Sequence, residues 1–130
     1  TDSPRRLIYK YDYDLLSGSI GNRRVFVEVP EGEGFPDGLC VDSEGYIWSA
    51  HWDGWRVTRY SPAGKIERVI YLPVQRPTSC TFGGKDLNQL FITSAWTGLN
   101  EVDRREQPLA GDLFKVGTII QGQKVNFFEG

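Results

Sequence analysis

An all-β fold is the class the sequence predicts, and three observations predict it. No window of the chain holds a helical periodicity. Short runs rich in Val, Ile, Tyr, Phe and Trp are separated by clusters of Gly, Pro, Asp and Ser, the mark of strands joined by tight turns. A unit of several such runs then recurs along the chain.

Strands are expected near 7–13, 24–29, 38–42, 46–51, 56–60, 66–72, 78–82, 90–95 and 112–117, with a last one near 123–128. Alternation in Leu7/Tyr9/Tyr11 and Val25/Val27/Val29 gives each of those strands one face toward a core. Ser43-Glu44-Gly45 falls between two apolar runs and suits a hairpin with glycine at positive φ. Ser61-Pro62-Ala63-Gly64 does the same with proline pre-setting φ. Leu99 to Ala110 is longer and charged and is expected to be a surface loop without a packing role. The expected core includes Ile8, Val25, Leu39, Val41, Ile47, Trp48, Val57, Val69, Phe82, Phe91, Ile92, Leu113 and Phe114.

The repeat fixes the architecture. Pro36-Asp37-Gly38-Leu39-Cys40-Val41 leads to Tyr46-Ile47-Trp48-Ser49-Ala50-His51-Trp52, and Pro77-Thr78-Ser79-Cys80-Thr81-Phe82 leads to Leu90-Phe91-Ile92-Thr93-Ser94-Ala95-Trp96. The offset is 41 at the prolines and 44 at the tryptophans. Units of roughly 40–50 residues with several short strands each are β-propeller blades. At ~45 residues per blade, residues 1–130 make about three four-stranded antiparallel blades, a partial propeller domain. Rings close with roughly four to eight, so two sheet faces are left to be covered by a second copy of the chain or by an N-terminal half.

Composition excludes several classes. A net charge of −2 argues against a nucleic-acid partner, which a basic face would announce. No apolar run approaches the ~20 residues that span a bilayer, and residues 1–6 lack the apolar segment of a signal peptide. The two cysteines, Cys40 and Cys80, sit inside apolar strand patterns and read as buried, reduced thiols of a cytoplasmic protein. Tyr11-Asp12-Tyr13-Asp14 lacks the spacing of an EF-hand loop, and Phe82-Gly83-Gly84-Lys85-Asp86 that of a P-loop; neither G-x-S-x-G nor C-x-x-C occurs.

Several stretches together resemble the gluconolactonase/regucalcin (senescence marker protein) family. Pro36-Asp37-Gly38, Asp42-Ser43-Glu44-Gly45 and Trp48-Ser49-Ala50 are similar to its P-D-G…D-x-E/D-G…W-x-A motif. Arg76-Pro77-Thr78-Ser79-Cys80-Thr81-Phe82-Gly83-Gly84 followed by Leu90-Phe91-Ile92-Thr93 resembles its R-P-T-S-C-x-F-G-G…L-x-I-T blade. Asp2-Ser3 with Tyr11-Asp12-Tyr13-Asp14, and Gly111-Asp112-Leu113-Phe114, are similar to its D-S…Y-D-Y-D and closing G-x-L-F stretches. The resemblance implies the C-terminal half of a six-bladed propeller. It also implies a hydrolase of small sugar lactones that carries one axial divalent cation, Ca²⁺ first, with Zn²⁺ or Mg²⁺ as alternatives. Of the ligands it implies (a Glu, an Asn and the Asp of P-D-G), Asp37 is the one that maps here. The other two, and the Arg and Asn that contact substrate, are expected upstream of Thr1.

Asp37 is therefore the candidate metal ligand and catalytic base, although Pro-Asp-Gly taken by itself is ordinary turn chemistry. Thr78 and Ser79, at the repeat-equivalents of Asp37 and Gly38, are candidate substrate-binding hydroxyls or simply residues that end a strand. His51, the single histidine, is a third substrate-binding candidate beside its structural reading. Trp48, Trp52, Trp55 and Trp96 can stack on a sugar or pack blades together. Two functional classes follow: part of a metal-dependent lactone hydrolase, or a non-catalytic half-propeller that pairs with a second copy as a homodimer around a symmetric channel.

Overall fold

The computed structural model describes residues 1–125. Three antiparallel sheets follow one another along the chain. A two-stranded ribbon comes first, β1 (Leu7–Tyr13) with β2 (Ile20–Glu28). The middle sheet is a four-stranded meander of β3 (Phe35–Val41), β4 (Ile47–Trp52), β5 (Arg56–Tyr60) and β6 (Ile66–Tyr71). The last sheet holds β7 (Pro77–Gly83), β8 (Gln89–Ser94) and β9 (Leu113–Gly117). Among the described residues only the middle sheet has four strands. Of the strand expected near 123–128, residues 123–125 are described and form no strand, and 126–128 lie outside the described residues; Gly122 makes an isolated bridge to Asp42.

The sheets stack face to face as blades do, and each junction has its own core. Trp48, Ala50, Val57, Leu72, Val74, Cys80, Leu90, Ile92 and Ile120 fill the space between the middle and last sheets. Ile8, Val27, Val29 and Tyr60 fill the space between the ribbon and the middle sheet. β4 is buried on both faces, from Trp48 through His51, because successive side chains feed the two cores alternately. Complete burial of an aliphatic side chain such as Ile92 stabilises by about 1.5–3 kcal/mol.

Of the expected core, Ile8, Trp48, Val57 and Ile92 are buried, and Ile47, Val69, Phe82, Phe91 and Phe114 are half-buried. Val25, Leu39, Val41 and Leu113 are exposed. Leu39 and Val41 alternate with Cys40 and so point away from β7. Leu113 lies on the edge strand β9, where Phe114 and Val116 turn to the core instead.

The segment 99–110 is not a plain loop. It contains a short helix, α1 (Glu101–Glu106), capped by Asn100, whose side-chain oxygen accepts from the Val102 and Asp103 amides at 2.9 Å each. It also packs: Gln107 is buried and its Oε1 accepts from the Gln75 amide at 2.7 Å. The signal in the sequence was Asn100 directly before Glu101, an N-cap followed by acidic residues, too short a helix to show a period.

Candidate functional site at Asp37

Asp37 sits near the start of β3, inside an irregularity of the β3–β4 ladder. Pro36 faces His51 and Leu39 faces Ser49, so three steps on β3 match two on β4. Such a bulge bends a strand and re-aims a side chain. Here it leaves Asp37 half-buried in a depression of about 430 Å³ lined also by Ser3, Pro4, Phe35 and Trp52. Ser3 is fixed there by donating to the Pro36 carbonyl at 2.7 Å. The carboxyl accepts a hydrogen bond from the Gly38 amide, but burial outweighs this and raises its pKa above the ordinary carboxylate value.

The same bulge recurs in β7, where Pro77 faces Ser94 and Ser79 faces Thr93. Gly38 then explains how close the two strands come. A Cβ at Gly38 would lie 2.3 Å from Ser79 Oγ and 2.8 Å from Ser79 Cα, so only glycine lets β3 approach β7 this closely. Ser79 is thereby placed against the residue that follows Asp37. The Thr78 hydroxyl is held within its own sheet, 2.7 Å from Thr93 Oγ1.

His51 is not at this site. It is fully buried, its Nδ1–H donates to the Glu33 carbonyl at 2.8 Å, and the Tyr60 hydroxyl donates to Nε2 at 3.2 Å. The ring stacks on Tyr60. Burial holds its pKa below the usual imidazole value, which keeps it neutral and suits this donor–acceptor pair. With both nitrogens engaged inside the protein, no face remains for a substrate, and the substrate-binding expectation for His51 is corrected to a structural one. Trp48 is likewise core; Trp52 borders the Asp37 depression beneath the Arg76 guanidinium, which lies 4.8 Å from its ring and pairs with Asp53 at 2.6 Å.

The D-x-E-G…W stretch has a role that sequence reading missed. Asp42 is fully buried and accepts from the Glu44 and Tyr46 amides at 3.0 Å, from Trp48 Nε1 at 2.9 Å and from Arg59 Nε at 2.8 Å. Arg59, also buried, reaches Glu44 and Glu67 at 2.6 and 3.1 Å and lies 3.8 Å over the Tyr46 ring. Burial alone would lower the Arg59 pKa, but bonds to Glu44, Asp42 and Glu67 overcome that and raise it. This constellation clamps the β3–β4 turn to β5. The alternation that puts Arg59 on the Trp48 side of β5 was visible in the sequence; its pairing partner was not.

Among the described residues no group of three His, Cys, Asp or Glu side chains is gathered closely enough to hold a metal ion. A Ca²⁺ ion takes ~6–8 oxygen ligands, and Asp37 supplies two at most. The described residues do not by themselves fit the expected cation.

The model of the SMP-30/Gluconolactonase/LRE-like region matches residues 1–96. The chain belongs to this family. Regucalcin from Danio rerio is 44% identical over 116 residues, which cover 88% of this chain and 39% of that protein. The chain thus spans about two fifths of the length of the curated relatives it matches. Among solved structures, a calcium-binding protein, regucalcin, from Agrobacterium tumefaciens superposes with a TM-score of 0.89 at 28% identity, covering 95% of this chain and 42% of that one. A gluconolactonase from Xanthomonas campestris superposes with a TM-score of 0.56 at 33% identity over 65% of this chain and 26% of that one. The propeller class is thereby established. No helix among the described residues is long and apolar enough to cross a membrane.

Proposed function

We propose that this chain supplies one wall of a divalent-cation-dependent sugar-lactone hydrolase, and that its contribution to the chemistry is Asp37. The observation that carries this reading is a half-buried carboxylate with a raised pKa, set by a bulge at the inner end of a blade, bordered by the aromatic faces of Phe35 and Trp52. Similarity to a gluconolactonase and to a calcium-binding regucalcin supports it. The remaining cation ligands come from outside the described residues, from a longer protein or from a second copy. Lactone opening adds water across the ester bond. Asp37 takes a proton as the water oxygen attacks the carbonyl carbon, and the ring oxygen leaves protonated as the new hydroxyl. Ser79, which packs against Gly38, is the assigned hydrogen-bond donor for sugar hydroxyls, with Thr78, bonded to Thr93, as a further candidate, and Trp52 offers a stacking face. Two free thiols suit a cytoplasmic setting.

The test is hydrolysis of D-glucono-δ-lactone followed by acid release, with calcium added and removed by chelator. Activity that needs the cation and drops by about 100-fold or more in Asp37→Asn, with an unchanged unfolding midpoint, supports the reading. An Asp37→Asn chain as active as the parent overturns it.

A second reading is favoured by exposed apolar residues on the ribbon, where Tyr13, Leu15, Leu16, Ile20 and Val25 are all open to solvent. Such a face calls for a cover. A homodimer that closes a ring would bury it without requiring lactone hydrolysis. A solution mass of two chains together with no hydrolysis would favour this non-catalytic half-propeller.

A further inference from the structure

Cys40 and Cys80 stand side by side across the junction between the middle and last sheets, with Sγ atoms 3.8 Å apart. Both are free thiols. Each lies on the first strand of its sheet, and these strands come close two residues before Cys40 and one before Cys80, where a Cβ on Gly38 would be 2.8 Å from Ser79 Cα. A disulfide needs Cα atoms within ~4.4–6.8 Å and sulfurs at ~2.05 Å, a closure that side-chain rotation from 3.8 Å can supply between strands this close. Packing as two small hydrophobes explains their burial but not their pairing.

The two thiols differ in access. Cys80 is buried and its thiol also donates to the Trp48 carbonyl at 3.3 Å. Cys40 is half-buried and opens into a groove of about 720 Å³ whose walls include Thr81, Phe82, Lys85 and Lys124. Two ammonium groups at an otherwise largely apolar groove suit a disulfide that carries carboxylates.

We propose that Cys40 and Cys80 are a reversible dithiol–disulfide pair, oxidised by glutathione disulfide arriving through this groove, and that the bond staples the inner strands of adjacent blades. The Cys40 thiolate attacks one sulfur of glutathione disulfide. That S–S bond breaks, one glutathione leaves as thiolate and takes up a proton, and Cys40 carries the other. Cys80 then loses its proton to solvent and attacks Cys40 Sγ, and the second glutathione leaves. Two protein thiols are oxidised by two electrons in all, and one glutathione disulfide becomes two glutathione molecules. The sulfur–sulfur contact with Cys80 holds the Cys40 thiol below its ordinary pKa, whereas the same contact and burial push Cys80 up, which matches an attacking and a resolving thiol.

The experiment incubates the folded chain in glutathione redox buffers, quenches with iodoacetamide and maps the peptides by mass spectrometry. The expected product is a peptide linking residues 40 and 80 within one chain, lost on adding dithiothreitol. Its thermal midpoint should exceed that of the reduced chain by on the order of 10 °C. Cys80→Ser should stop at a stable glutathione adduct on Cys40, and Cys40→Ser should take up glutathione at least about tenfold more slowly than Cys80→Ser. Circular dichroism shows that each variant is folded. Two thiols that both stay alkylatable, in a buffer that links them in the urea-unfolded chain, overturn the proposal. So does a link that forms only between chains.

Discussion

The middle and last sheets are built on one repeat but are locked by different chemistry. At the end of β3 the middle sheet buries Asp42, held by two amides, an indole N–H and the Arg59 guanidinium. Residues after Cys80 in β7 carry no such carboxylate. Phe82 goes edge-on against Trp48 there, with ring centroids 5.7 Å apart. The inner ends differ as well. Three residues separate proline from cysteine in Pro36-Asp37-Gly38-Leu39-Cys40, and two in Pro77-Thr78-Ser79-Cys80. Each ladder still carries one unmatched residue, three steps on β3 against two on β4 and two on β7 against one on β8, and the β3 irregularity is the one that holds the acid. The same point of the two repeats thus accepts a polar or an apolar lock, while the β3 bulge presents a carboxylate where the β7 bulge presents a hydroxyl.

The largest effect should come from breaking the polar lock. Asp42→Ala leaves Arg59 without its one buried carboxylate partner, with the half-exposed Glu44 and Glu67 remaining, and should cost about 3 kcal/mol in urea unfolding. Replacing both, as Asp42→Leu with Arg59→Met, should recover much of that loss if the lock is interchangeable with an apolar one. Failure to recover would show that the amides of Glu44 and Tyr46 need a carboxylate. Next comes the bulge. Gly38→Ala forces a methyl onto Ser79 and should cost about 1–3 kcal/mol; pairing it with Ser79→Gly should relieve part of the clash, and no relief would mean that the strands can separate freely.

His51 gives a smaller effect that belongs to the middle sheet alone. Its pKa is lower folded than unfolded because it is buried, so the unfolded chain binds the proton more readily. Its stabilising contribution is complete above the unfolded value of about 6.5 and is lost as pH falls through that value toward the folded one. Urea midpoints at pH 7.5 and 5.5 should fall in the parent and stay flatter in His51→Gln; parallel curves would place the dependence elsewhere. The smallest change is expected in the last sheet. Asn100→Ala removes the cap of α1 and should cost about 1 kcal/mol or less, since the helix is exposed.

Strand runs were legible because hydrophobic alternation and turn residues are local signals. The nine described strands overlap the Val, Ile, Tyr and Trp runs, although β2 and β3 start four and three residues earlier than expected, and the propeller class follows from their repeat. What escaped was set by distance in the chain or by shortness. The partner of Asp42 lies on another strand, and α1 is shorter than two turns. His51 was a candidate as the single histidine of the chain. Glu33 and Tyr60, which occupy its two nitrogens, belong to a preceding loop and a later strand. Asp37 was found through resemblance, since Pro-Asp-Gly itself says only that the chain turns.

Every described strand pairs with its neighbour in sequence, so each sheet can assemble from nearby partners at little cost in loop closure. The return of residues 121–123 is of another kind. The Ser43 amide donates to the Gln121 carbonyl at 2.8 Å, and Gln123 Nε2 donates to the Asp42 carbonyl at 3.0 Å across 81 residues. Residues 121–123 thus clasp the turn that Asp42 and Arg59 hold; if that clasp closes after the sheets have formed, a truncation before residue 121 should leave the folding rate near the parent's and raise the unfolding rate.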